Sequence, residues 1–498
     1  MSEQSEHREG AEERVAPAGG LLPFSSRSFY GLGSVAEGIN NTAFNVFLLF
    51  YYNQVLGLSG TLTGLAIFLA LCVDAVTDPL VGSISDNQHS RWGRRHPFMY
   101  ASALPMAGCF FLLFNPPGWL GDTALFAWLV AFAILVRTAM TFYSIPSNSM
   151  VAEMTPIYDE RTSLVSYRFF FGWAAGLGFS QLAYLYFLAP TDVFPDGRFN
   201  AEAYGALARV GAIAIAGAIL ACAAGTHHLI PRLKPPPART SFTSRRVLRE
   251  FGDVFGNRSY LMLVFGSLFS AVAGGFNDVI GLYMNIYFWG FSAEQLAILA
   301  LSLAPAVLIA VGLARPISER FDKKRTVLGL ATFSILVGPL PVFLRLLGLM
   351  PPNGHPLLIY LIAGHGVILV CIVIIVWIVI SSMIADTVDE GELRTGKRQE
   401  GMYASAIAFT GKAVSGLGGF LAGVALDLIA FPRVIGASEA AVVPPEKVFA
   451  LGLVVGPGLM LLFLCSLIFL SRYQMTRERH QEILAELEAR RSAGRADA

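Results

Sequence analysis

Apolar residues run along this chain in long blocks separated by short turn and charge signals, and a membrane-spanning helix needs about 20 such residues. The blocks predict spans near 29–57, 60–85, 97–117, 123–152, 163–189 and 206–230, then a polar stretch near 231–257. After it come spans near 258–288, 293–316, 325–348, 356–385, 402–430 and 448–471. Six spans precede the polar break and six follow it. The expected architecture is therefore an all-α integral membrane protein with twelve transmembrane helices in two six-helix bundles, residues 29–230 and 258–471. A tail at 1–28, a central loop at 231–257 and a charged tail at 472–498 complete it, all read as cytoplasmic. The last tail ends in the helix-like EILAELEARR, read as a solvated helix with a regulatory contact left open.

Composition agrees with the blocks. The chain is 54% hydrophobic and only 14% charged, against about 25% charged in soluble domains, which disfavours a soluble enzyme. Five cysteines (Cys72, Cys109, Cys222, Cys371 and Cys465) stand singly in apolar runs without zinc or redox spacing, so a disulfide scaffold is a poor fit too. A net charge of +1 argues against a nucleic-acid partner. Residues 1–23 are polar and show no cleavable signal peptide.

Lysine and arginine are concentrated in alternate connections. Arg91, Arg94 and Arg95 lie in the second connection, Arg232, Lys234, Arg239, Arg245, Arg246 and Arg249 in the sixth, and Lys323, Lys324 and Arg325 in the eighth. The first, third and seventh connections have none, which places both termini on the cytoplasmic side of a plasma membrane, the inner one of a bacterium. The connection near 190–205 is an exception, mixed in sign through Asp192, Asp196, Arg198 and Glu202. A weak internal repeat, DPLVGSISDNQHSRWGRR after span 2 and ARPISERFDKKR after span 8, supports two related halves. Two such halves enclosing a midplane site is a transporter plan.

A charge at mid-bilayer costs roughly 2.5–3.5 kcal/mol on insertion scales, so Glu37, Asp74, Asp78, Arg137, Arg168, Asp278, Lys412 and Asp427 each need a partner or a water-filled cavity. Asp74 and Asp78, in CVDAVTDPLVG, are four residues apart and share one helix face, where two carboxylates can hold a proton or a hard cation such as Na⁺ or Li⁺. The alternative is that one of them merely pairs with a basic residue. Lys412, in AFTGKAVSGLGG, sits among small residues that let another helix approach, with the acid pair as its expected partner. Arg137 and Arg168 either balance Glu37 or meet the substrate. Asn40, Asn41 and Asn45 on span 1, with Thr141, Ser144 and Asn148 on span 4, form two polar stripes that face a cavity or join helices by hydrogen bonds. Asp278 and Asp427 are placed toward span ends, in surface or gate roles, and His365 reads as a packed histidine. No Walker loop, His-Glu zinc signature or Gly-x-Ser-x-Gly elbow is present, so the expectation is a transporter driven by an ion gradient or by its substrate, not an enzyme, with no cofactor.

From about Tyr30 to Tyr473 the sequence resembles the glycoside–pentoside–hexuronide:cation symporters of the major facilitator superfamily, the group containing melibiose permease. The resemblance is carried by YGLGSVAEGI, DAVTDPLVGSISD with SRWGRRHPF, YSIPSNSM, SYRFFFG and IADTVDEGELRTGKRQEGMYASAIAFTGK. It implies the major facilitator fold, working as a monomer by alternating access. It also implies Asp74, Asp78 and Thr141 as the cation site for co-transported Na⁺, H⁺ or Li⁺, Lys412 as the coupling residue, and Arg168 in the substrate site. Glu37, Asn41, Arg137, Ser144 and Asn148 complete the candidate substrate set. Ser144 stands where melibiose-type proteins carry a sugar-binding aspartate, and Gly38 or its neighbour stands at the corresponding position on span 1. The substrate implied is a glycoside or related sugar. The alternative is a lysophospholipid, since sodium-dependent lysophosphatidylcholine symporters share these motifs and also lack the sugar-binding pair.

Overall fold

A computed structural model describes residues 22–155, 157–233, 256–395, 414, 416–433 and 443–496. Among them all regular structure is helical. In the first half lie α1 (Phe24–Leu32), α2 (Ser34–Thr42), α3 (Gly60–Asp86), α4 (His96–Leu113), α5 (Asp122–Met154), α6 (Tyr158–Leu182) and α7 (Ala201–Thr226). The second half holds α8 (Arg258–Tyr283), α9 (Ala293–Ser302), α10 (Ala304–Phe321), α11 (Lys323–Val337), α12 (Leu340–Leu346), α13 (Pro356–Thr395), α14 (Gly416–Leu428), α15 (Pro445–Leu453) and α16 (Leu459–Ser471). A further helix, α17 (Arg477–Ala496), follows. Nine of the described helical stretches are long and apolar enough to cross a membrane. The other three expected spans are helical where described: the first as α1, α2 and the turns that follow, the fifth as α6 with the π turn Ala183–Phe187, the eleventh as α14. The first helix begins at Phe24, inside the tail expected at 1–28.

The two halves repeat one another where the first and seventh spans end. A π-helical turn ends the first span at Tyr51–Val55 and the seventh at Met284–Phe288. Each is followed by a left-handed glycine, Gly57 (φ 80°) or Gly290 (φ 66°), where a side chain would be strained. Then comes an apolar residue, then a serine, Ser59 or Ser292, whose hydroxyl caps the next helix. The backbone bonds match as well. Leu58 N donates to the Tyr52 carbonyl at 2.8 Å and Phe291 N to that of Asn285 at 2.9 Å.

Within the first half α3 and α4 pack on α5, α4 packs on α7, and α1 and α2 pack on α6 and α7. Within the second, α8 packs on α16, and α10 and α11 on α13. At the end that bears the chain termini, buried Glu153 at the close of α5 takes Arg94 (2.6 Å) and Arg95 (2.9 Å) from the second connection. The related pair in the second half is Lys323, at the start of α11, with Asp386 near the end of α13 (2.7 Å). Arg95 also meets Asp86 at the end of α3 at 2.5 Å, a pairing within the local motif, whereas Glu153 and Asp386 each lie two spans from the basic residues they meet.

The C-terminal helix corrects the expectation of a fully solvated tail. Ile483 and Leu487, one turn apart on α17, are buried against α13, His480 Nε2 lies 3.1 Å from the Asp389 carboxylate, and Arg490 donates to the Leu393 carbonyl at 2.7 Å.

Candidate functional site

Five of the eight membrane-depth charges, Glu37, Asp74, Asp78, Arg137 and Arg168, lie in the first half and form two clusters there. Asp74, buried at 2% exposure on α3, receives Arg137 Nη2 of α5 at 2.5 Å on one carboxylate oxygen and Thr141 Oγ1 at 2.7 Å on the other. Asp78, one turn on and half-buried, lies 3.0 Å from the same Thr141 oxygen. The Arg137 carbonyl is also within 3.2 Å of it. A hydroxyl has one proton to give, so the Thr141 hydroxyl serves one of these three oxygens at a time. Two carboxylates and a hydroxyl are the oxygen donors that a proton or a small hard cation takes.

Two prolines sit beside this cluster. Pro79 in α3 and Pro146 in α5 have no N–H to give to the carbonyls of Ala75 and Phe142, four residues earlier and each next to a site residue. Both were visible in the sequence, inside DAVTDPLVG and YSIPSNSM, as breaks in otherwise continuous helix.

A second cluster centres on Arg168 of α6, which is buried at 7% exposure. Its Nη2 meets Glu37 of α2 at 2.5 Å and its Nη1 donates to Ser147 Oγ at 2.8 Å. Tyr30 hydroxyl donates to the Ser147 carbonyl at 2.8 Å, and the guanidinium lies 5.4 Å from the Tyr30 ring centre. Ser147 and Tyr30 were not singled out from the sequence, although both stand inside the family-like motifs. The arginines therefore divide: Arg168 balances Glu37, whereas Arg137 pairs with Asp74 and lies over the Phe44 ring at 5.8 Å.

Along the polar stripes, Asn41, Asn45 and Asn148 are exposed and Ser144 is half-buried, while Asn40 is fully buried with neither amide atom hydrogen-bonded. Polar side chains in the middle of a membrane helix face a water-filled space or the bundle interior, which gives Asn41, Asn45 and Asn148 a cavity to line. His365 Nε2 lies 2.9 Å from the Val337 carbonyl, a packing contact. Lys412 lies outside the described residues.

The hydrogen bonds between described residues of the two halves lie at the end opposite the termini. Asp427, closing α14, accepts from Ser59 Oγ (2.6 Å), Thr61 N (2.8 Å) and Gly60 N (3.2 Å), capping the start of α3 from the other half. Tyr283 donates to Asn53 at 2.8 Å and Tyr287 to Gln54 at 2.7 Å. Arg198, from the mixed-charge connection, donates to the Phe291 carbonyl at 2.7 Å. Gly60 and Gly423 touch through their backbones, leaving no room for a Cβ on either. The Asn53–Gln54 pair, polar residues inside FLLFYYNQVLG, was the available signal for this closure.

The family described as MFS/sugar transport protein matches residues 29–477. The isoprimeverose transporter of Lactiplantibacillus pentosus is 25% identical, with 82% of this chain and 81% of that protein aligned. The glucuronide carrier protein homolog of Escherichia coli is 26% identical over 93% of this chain and 95% of its own length. Among solved structures, the D-xylose-proton symporter superposes with a TM-score of 0.58 at 16% identity, over 91% of this chain and 98% of that one. The nucleoside transporter NupG gives 0.62 at 12% identity over 91% and 100%. These two show the fold.

Proposed function

Since this chain belongs to the MFS/sugar transport protein family, that of the glycoside–pentoside–hexuronide symporters, we propose that it imports a glycoside or related sugar together with Na⁺ or H⁺. It is an integral membrane transporter of the major facilitator fold for a small solute, and not an enzyme. The observation that carries the cation reading is the Thr141 hydroxyl held between Asp74 and Asp78 at 2.7 and 3.0 Å. Two carboxylates one turn apart with a hydroxyl between them form an all-oxygen donor set, the chemistry that suits a proton or Na⁺.

Arg137 neutralises the outer face of Asp74 while the oxygen turned to Thr141 and Asp78 stays with the pair. Substrate meets the cavity side of the same bundle, at Glu37, Arg168, Asn41, Ser144 and Asn148. Lys412, in the TGK motif of span 11, is assigned the coupling role. With both termini in the cytoplasm of a bacterial cell and the protein in its inner membrane, the closed end faces outward and substrate leaves inward.

The test is uptake into proteoliposomes of a labelled β-xyloside and a labelled lysophosphatidylcholine, each with and without an inward Na⁺ gradient at fixed pH, and with a proton gradient in the absence of Na⁺. Gradient-driven sugar accumulation that Asp78→Asn abolishes is the expected result. Uphill uptake retained in Asp78→Asn overturns the cation site, and gradient-driven lysolipid entry without sugar entry overturns the substrate.

A further inference from the structure

A membrane-depth charge on α8 takes no part in either cluster. Asp278 was expected toward a span end, but it lies ten residues short of Phe288, where its helical stretch closes, about 15 Å at 1.5 Å per residue. Its side chain is open to solvent although the residue lies deep in the body of the protein, and no described residue hydrogen-bonds or ion-pairs with it. The face around it is small and polar: Gly274, Asn277, Asp278 and Gly281 fall at i, i+3, i+4 and i+7 of one helix. A methyl group built on Gly274 or Gly281 would meet nothing within 4 Å. Lipid-facing surface carries large apolar side chains, and a carboxylate turned to lipid is costly. This face is therefore the wall of an aqueous space.

The internal repeat says which space. Asp278 stands six residues before the π turn at Met284, and Asn45 stands six residues before the matching π turn at Tyr51. Both side chains are exposed, and the Ala43–Phe47 turn that carries Asn45 packs directly on α8, which carries Asp278. The two residues are counterparts on the two halves, facing the cavity that Asn41 and Asn45 line.

We propose that Asp278 is a specificity-determining residue of the substrate site: its carboxylate accepts hydrogen bonds from hydroxyls of a neutral substrate and disfavours carboxylated ones. The proposal rests on the transport reading above and deepens it by naming the solute class. It follows from charge as much as from position. Arg137 and Arg168 are already paired with Asp74 and Glu37, so an anionic solute entering this cavity meets a carboxylate that no described residue pairs with and two engaged guanidiniums. A hydroxyl donor instead finds a charged acceptor, a bond worth about ten- to a hundredfold in affinity.

Three measurements test it. In a background with the five cysteines replaced, Asn277→Cys is expected to react with a charged, water-soluble thiol reagent and to be protected by transported substrate. Failure to react overturns the aqueous wall. Asp278→Ala is expected to raise KM for the β-xyloside at least tenfold with maximal rate and cation-driven exchange retained, which marks the fold as intact. Asp278→Asn is expected to raise uptake of a β-glucuronide relative to the xyloside by about tenfold. Unchanged KM and an unchanged ratio overturn the assignment. Should the wild-type protein carry lysophosphatidylcholine rather than either sugar, the sugar reading falls. Asp278 is then judged on the lysolipid KM, where a tenfold rise in Asp278→Ala keeps it as a substrate contact and no rise removes it.

Discussion

Removing the Asp427 carboxylate should open the end of the protein opposite its termini. The residue closes α14 and caps α3 from the other half through Ser59 Oγ, Thr61 N and Gly60 N, with Arg433 at 3.4 Å on its outer side. These bonds exist only while the halves touch there, so their loss penalises one conformation and not the other, which is what shifts a two-state equilibrium. A hydrogen bond to a charged group is worth roughly 1.5–3 kcal/mol and a helix cap about 1 kcal/mol. The Asp427 side chain retains 26% exposure, which brings the combined effect down to about 2 kcal/mol, a shift of roughly thirtyfold in the ratio of open to closed. Spin labels at Trp119 and Leu349, exposed residues on the connections of the two halves at this end, report it by pulsed dipolar distance measurement. Asp427→Ala should add a longer-distance population that the wild type lacks, and Asp427→Asn, which keeps an acceptor, a smaller one. Identical distance distributions in all three proteins would refute the trans-cap as a gate.

Two further outcomes follow from the clusters below the gate. Thr141→Val keeps the side-chain shape but withdraws the one hydroxyl shared by Asp74 and Asp78, and should weaken cation affinity about ten- to a hundredfold. Sugar binding at saturating cation should be preserved, as read by calorimetric titration of each ligand. Arg168→Ala strands Glu37 and leaves Ser147 without its donor. It should cost about 2–3 kcal/mol of stability, seen as a lower Tm in detergent, and combining it with Glu37→Gln should recover part of that loss if the ion pair is its source.

Much of the architecture was legible because a bilayer imposes a coarse code. Twenty apolar residues, a polar break and alternating basic loops are properties of composition, and they located the helix ends at Arg258 and Ser471. Asp74 with Asp78 was legible for the same reason: two acids one turn apart in an apolar run have few structural uses. What the sequence could not express was partnership. Whether Arg137 meets Glu37 or Asp74 depends on how α5 rotates against α2 and α3, and the apolar pattern of α5 is too uniform to set that rotation. Asp427 reads as a helix-end charge until α3 is placed beside it. Asp278 was placed toward a span end although the span was drawn to 288, ten residues further on; hydropathy sets the length of a span and not which of its faces meets water.

The placement of the two acids on α3 constrains how coupling can work. Asp74 and Asp78 face Thr141 and Arg137 of α5, a helix of the same half. A cation held by these residues alone makes the same contacts whichever way the halves rock, and a ligand with equal affinity for two states shifts nothing. The difference must come from the second half. The seam where that half touches α3 is α14, through Gly60 with Gly423 and Gly64 with Phe420, and the chain leading into α14 carries Lys412 four residues before Gly416. An ammonium brought toward the acid pair by closure of that seam would, on the proposed mechanism, compete with the bound cation in one state and withdraw in the other. On the proposed mechanism, the glycine contacts of α3 with α14 are therefore as much a part of coupling as the carboxylates, because they fix how near Lys412 can come.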